Sequence, residues 1–144
     1  MLLHTIGASG KSLREFAGLI RDAGVDAVVD VRRRNSSQLA GWSKRDDLAY
    51  LLELLGVAYD HRPELGPSDR LLDAFRRGLP FEEYAPAYRA LIAERGVLPE
   101  ALERLRQHQR PALLCACPTA ERCHRRLLAE ALLELDPRLQ VRHL

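Results

Sequence analysis

Five short apolar runs, at residues 2–6, 25–31, 57–61, 112–116 and 139–143, alternate along this chain with segments of helical period, and that alternation leaves few folds open. Ser12-Leu13-Arg14-Glu15 has the spacing of a helix capping box, and Leu13, Phe16, Ala17 and Ile20 then fall on one face ahead of Gly24, a C-terminal cap. A second helix is expected to start at Ser43, capped with Asp46 three residues on, to bury Leu48, Leu51, Leu52 and Leu55, and to stop at Gly56. Pro63, Gly66, Pro67, Gly78 and Pro80 make 62–80 a long irregular connection with one helical turn near 71–77. Further helices are predicted over 81–95 and 99–107, and from a cap at Thr119 or a neighbour to about residue 135. The order β-α-β predicts one α/β domain over 1–144, a mainly parallel sheet flanked by helices on both faces with right-handed crossovers. Ligands of such sheets bind beyond the carboxyl ends of the strands, which selects the loops at 7–12, 30–37, 61–66 and 115–125.

The size fits a single domain that needs no disulfide or structural metal to bury its core. No run approaches the roughly 20 apolar residues of a membrane span, and the first residues are too short for a secretion signal, so a cytoplasmic protein with no membrane partner is expected. Three cysteines clustered at 115–123 suit a reducing compartment. A net charge of +2 gives no general affinity for nucleic acid, although all the basic residues except Lys11 and Lys44 are arginines, suited to bidentate contacts with phosphate.

The strongest local signal runs from Cys115 to Arg126, a strand end turning into a helix. Cys115 and Cys117 point to one face of an extended segment, while Cys123 and His124 open the helix, where anions and thiolates are stabilised. Cys115, Cys117, Cys123 and His124 offer a tetrahedral zinc set, but the spacing Cys-x-Cys-x5-Cys-His matches no common zinc motif. A phosphatase-type loop fails, because position 121 is Glu and position 123 is Cys. Packing of Cys115 and Cys123 as small core residues is the bland alternative. Asp30 and Arg32 share one side of the second strand's end, either as a base and an anion grip or as a closing ion pair. Thr5-Ile6-Gly7-Ala8-Ser9-Gly10 has the form of a phosphate cradle without the dinucleotide or P-loop fingerprint. Arg33 and Arg34 read as a solvated basic loop.

Thr5-Ile6-Gly7-x-Ser9, Asp30-Val31-Arg32, Ser37, Tyr59, Leu65-Gly66, Phe81-x-x-Tyr84, Leu114-Cys115-Ala116, Cys123-His124-Arg125 and Val141-Arg142-His143-Leu144 together resemble the bacterial family catalogued as domain of unknown function 488, in register from residue 3 to 144. The resemblance implies a single α/β domain and one polar site of Thr5, Gly7, Ser9, Asp30, Arg32, Tyr84, Cys115, Cys123, His124 and Arg125. It supplies no reaction. The chain departs from the family pattern at Ala8, commonly His, and at Cys117, commonly acidic.

The leading expectation is an enzyme or ligand-binding domain for an anionic small molecule such as a nucleotide. Thr5, Gly7, Ser9, Arg32, Arg125 and the helix N-terminus would hold the ligand. His124 or Asp30 would move protons, Cys115 or Cys123 would be the nucleophile of any covalent chemistry, and Tyr84 is counted with them among the catalytic residues. No cofactor is required by this reading. The alternatives are a zinc-binding or redox-sensing module built on Cys115, Cys117, Cys123 and His124, and a nucleic-acid binding module using Arg32 to Arg34 with Arg125 and Arg126.

Overall fold

A computed structural model of the chain describes residues 1–36 and 38–144, and at 38–40 the backbone alone; Ser37 of the family pattern lies outside the described residues. The strands are β1 (Leu2–Gly7), β2 (Ala27–Asp30), β3 (Ala58–His61), β4 (Pro111–Cys115) and β5 (Gln140–His143), joined into one all-parallel sheet in the order β3-β2-β4-β1-β5. The helices are α1 (Leu13–Asp22), α2 (Arg45–Leu54), α3 (Asp69–Arg76), α4 (Phe81–Arg95), α5 (Leu98–Leu105) and α6 (His124–Leu135). The predicted α/β architecture holds. Among the described residues no helix is long and apolar enough to cross a membrane.

Strand alternation sorts the core into two layers. Leu3, Val29, Val31, Leu113 and Cys115 face α4, α5 and α6, while Ile6, Val28, Ala112 and Leu114 face α1 and α2. By the same parity Thr5 and Gly7 follow Leu3 toward α6, and Asp30 follows Val28 toward α2. The connections after β1 and β4 leave the sheet on opposite sides, which opens a crevice where Gly7 lies beside Cys115 in the register.

Local chemistry accounts for most boundaries. The Ser12–Glu15 capping box forms as predicted, with Ala23 as cap and Gly24 (φ 65°) as the left-handed residue after it. Two caps differ. Ser43 belongs to a 3₁₀ stretch, Gln38–Ser43, broken at Gly41 (φ 52°), and α2 starts after Lys44 with no side-chain cap. Ser43 is instead drawn inward, its carbonyl accepting from Arg32 at 2.7 Å. Cys123, not Thr119, caps α6. The connection over 62–80 also holds more order than one turn, a 3₁₀ turn Pro63–Leu65 and the eight-residue α3 capped by Ser68.

Candidate functional site

Residues expected in one polar site separate into two clusters. The first closes the end of β2. Asp30 is fully buried and accepts five hydrogen bonds: from the Arg32 backbone N–H (3.1 Å), Nε (2.9 Å) and Nη2 (2.8 Å), from Asn35 Nδ2 (3.1 Å) and from Tyr59 Oη (2.7 Å). A carboxylate has about four lone-pair sites, so none is left to take a proton from a substrate. Burial alone would raise this carboxyl, but the hydrogen bonds and charge of Arg32 outweigh it and hold Asp30 below the ordinary range. In this arrangement Asp30 orients Arg32. Arg32 has Nε and Nη2 engaged by Asp30 and the Ser43 carbonyl, which limits its grip on a ligand.

The second cluster lies on the α6 side of the sheet, as strand parity requires. Arg125 is 0% exposed; it donates from Nε to Thr5 Oγ1 (3.2 Å) and from Nη1 to Cys115 Sγ (3.0 Å) and the Cys117 carbonyl (2.8 Å), while its buried Nη2 has no partner. Thr5 Oγ1 also lies 2.6 Å from His143 Nδ1, where the imidazole tautomer decides which of the two donates. Gly7 is obligatory at this point, because a Cβ there would lie 1.6 Å from the Cys117 carbonyl oxygen and 2.7 Å from Arg125 Nη1.

Three free thiols meet beneath Arg125. The sulfur atoms of Cys115, Cys117 and Cys123 all lie within 4.8 Å of one another, with Cys115 and Cys123 at 2.7 Å. Cys115 and Cys123 are buried, while Cys117 is partly exposed. Burial pushes the Cys115 thiol up to about 11, and hydrogen bonds from the Cys115 and Cys123 thiols push Cys117 the other way. Such a cluster can hold a soft metal ion or change redox state. His124 does not join it; its Nε2 lies 3.0 Å from the Val31 carbonyl, and burial holds the imidazole below its ordinary value. Nor does the N-terminus of α6 point free donors outward, since the N–H groups of Arg125 and Arg126 turn back to Cys123 Sγ (3.5 Å) and its carbonyl (3.2 Å).

Beside the thiols, between α3 and α6, is a cavity of about 200 Å³ whose wall includes Cys117, Cys123, His124 and Tyr84. Four arginines line it, at 32, 33, 34 and 76, and no carboxylate does. Tyr84 is 2% exposed and stacked on Phe75 at 4.4 Å, and Tyr88, 6.2 Å further along the same helix face, stands 5.5 Å from His124. A second cavity of about 350 Å³ on the other side of Arg32 and Ala116 is lined by Ser9, Lys11, Trp42 and Ser43. Ser9 thus stands apart from the thiols, its backbone N–H held by the Ala116 carbonyl at 2.9 Å.

Of the residues expected in one site, the structure places Thr5, Gly7, Cys115, Cys123 and Arg125 side by side; Arg76, Tyr88 and the contact of His143 with Thr5 were not expected there. Tyr88 was within reach of the sequence, four residues after Tyr84 on one helical face. Arg76 ends α3, which the sequence announced only as one helical turn near 71–77. No curated protein and no solved structure matches the chain. A family model described as "Domain of unknown function DUF488" matches residues 12–132, and with most of its length matched the chain belongs to that family.

Proposed function

We propose that the domain binds, and acts on, a small phosphate-bearing or similarly anionic molecule in the cavity between α3 and α6. The observation that carries this reading is the wall itself, four arginines without an acid, set against Cys117, Cys123, His124 and Tyr84 at the carboxyl ends of the strands. Arg33, Arg34 and Arg76 grip the anion, with Arg32 as a pre-oriented neighbour. Arg33 and Arg34 are at present engaged by Asp69 and Asp73 of α3 through exposed ion pairs, which an anion can exchange with little loss. The space suits a phosphate and a few further atoms. A polynucleotide fits less well, because the net charge is only +2.

Isothermal titration of inorganic phosphate and of a nucleoside monophosphate into the wild type, R33A and R76A tests this. Binding weakened tenfold or more in both variants, with unchanged circular dichroism, is expected; equal affinity in all three proteins sinks it. A second reading has its own observation, the three clustered thiols, and makes the domain a zinc-binding or redox-sensing module of the bacterial cytoplasm. Metal content of the protein purified under reducing conditions separates the two.

A further inference from the structure

We propose that Cys115, Cys117 and Cys123 hold one zinc-class divalent ion as three thiolates, and that its fourth coordination position opens into the arginine-lined cavity. The identity of the fourth ligand rests on the anionic reading of that cavity; the three-thiolate site does not.

Two independent observations bear on the site, the first pointing to a missing cation and the second to the net negative charge that its complex must carry. The first is the donor geometry, three sulfurs from a strand end, a turn and a helix cap, all within 4.8 Å of one another. The second is Arg125. A guanidinium is always charged, and this one is 0% exposed with Nη2 unpartnered and no ion pair among the described residues. The groups near it that can carry negative charge are the sulfurs, Cys115 Sγ at 3.0 Å. Three thiolates so close repel one another unless a cation lies between them. A divalent ion with three thiolates carries one net negative charge, which Arg125 cancels. The contact from Nη1 to Cys115 is then the outer-shell hydrogen bond that fixes a ligating thiolate and moderates its donation to the metal.

The fourth position follows from what is absent and from where the sulfurs face. The group contains no imidazole or carboxylate, and His124 Nε2 is engaged by the Val31 carbonyl. Cys115 lies behind, while Cys117 and Cys123 form part of the cavity wall, so the open side of the triad is the side toward Arg33, Arg34 and Arg76. Three protein ligands with one exchangeable position is the arrangement of catalytic zinc, whereas a structural site closes with four. The 2.7 Å between Cys115 and Cys123 must widen to about 3.8 Å around a tetrahedral ion with Zn–S near 2.3 Å. The ligand class is a phosphate or other oxyanion that bonds the metal through one oxygen and the arginines through the rest.

The test uses full-length protein, reduced, stripped by a chelator and titrated anaerobically with Co²⁺ as a visible surrogate. One cobalt per chain with thiolate-to-cobalt charge-transfer absorption is expected. C117S should lose that absorption with an unchanged circular dichroism spectrum, because Cys117 lies in a partly exposed turn outside the helices and strands, and H124Q should keep it. Inorganic phosphate should then shift the cobalt d–d bands, at least tenfold less readily in R76A. Absence of the charge-transfer band, or its survival in C117S, overturns the metal site. Loss of cobalt in H124Q, or d–d bands indifferent to phosphate that calorimetry shows to be bound, overturns the open position. Phosphate binding nowhere on the protein removes the anionic reading and the fourth-ligand assignment with it, while the three-thiolate site is judged on the cobalt spectrum alone.

Discussion

Two buried arginines stand at the carboxyl ends of the sheet, Arg32 just past β2 and Arg125 in the first turn of α6, and they are treated in opposite ways. Arg32 has a carboxylate for itself, Asp30, with Tyr59 and Asn35 completing the acceptor's coordination. Arg125 has a hydroxyl, a thiol and a carbonyl, and one donor facing nothing. The first cluster is neutral and closed within the chain. The second is balanced only by ionised sulfur or by something brought in from outside. A fold that holds both shows that the missing acid beside Arg125 is no general tolerance for buried charge.

The sharpest break of this comparison is Asp30→Asn. It leaves Arg32 buried without its counter-charge, and removing one partner of a buried pair costs about 3–5 kcal/mol. Urea unfolding should show that loss, and a change below 1 kcal/mol would mean that Arg32 reaches water. Acid should act through the same residue. The folded-state carboxyl is held below its ordinary value, so the unfolded chain takes up the proton first; the stability Asp30 contributes is full above the ordinary carboxylate range and disappears as pH falls through it toward the lower folded value. In D30N that part of the acid limb should be missing.

Gly7→Ala probes the other cluster from its backbone. With a Cβ 1.6 Å from the Cys117 carbonyl oxygen, the turn carrying Cys117 must move, at about 1–3 kcal/mol, the usual range for overpacking. The thiol reactivity of Cys117 toward a maleimide should rise as the turn opens; an unchanged labelling rate would show that β1 yields instead.

How much of this was legible beforehand follows from the same residues. The parallel sheet and its helices follow from periods of two and 3.6, which are local signals, whereas the meeting of Gly7 with Cys115 depends on β1 pairing with β4, an order that only the resemblance to a family hinted at. That Asp30 belongs with Tyr59 and Asn35 rather than with the thiols is a matter of parity, since Asp30 and Cys115 point to opposite faces of the sheet; the resemblance to a family merges the two clusters because a motif records position in sequence and not side of the sheet. The arginine-lined cavity was out of reach for a different reason. Its outer wall is α3, whose residues are at most half-buried and whose start depends on a Ser68 cap inside a proline-rich connection; the sequence announced one helical turn near 71–77 but not that it would carry an arginine to the thiols.

Arg125→Met tests whether the second arginine is held for stability at all. Three hydrogen bonds are lost, at about 1 kcal/mol each, but a buried charge without a carboxylate is removed as well, and the two effects oppose each other. The loss in urea should be about 1–2 kcal/mol, clearly less than for D30N. A loss equal to that of D30N would erase the contrast and make Arg125 a structural partner of the sulfurs alone.

The smallest effect is expected at the exposed rim, where Asp73 engages Arg34 at 3.1 Å and both side chains are more than two-fifths exposed. Asp73→Asn should leave the unfolding midpoint where it is, since pairs of this kind contribute almost nothing to stability in water. Its consequence belongs to the cavity instead. Freed from Asp73 and held by Asp69 alone, Arg34 can turn more readily to an anion, so phosphate should bind more tightly at low salt, with the gain shrinking as salt screens it. Tighter binding without added stability would mark the rim arginines as ligand groups that α3 holds in waiting. Lower stability with unchanged phosphate binding would make them fasteners of the helix, and would move the anion's contacts inward to Arg32 and Arg76.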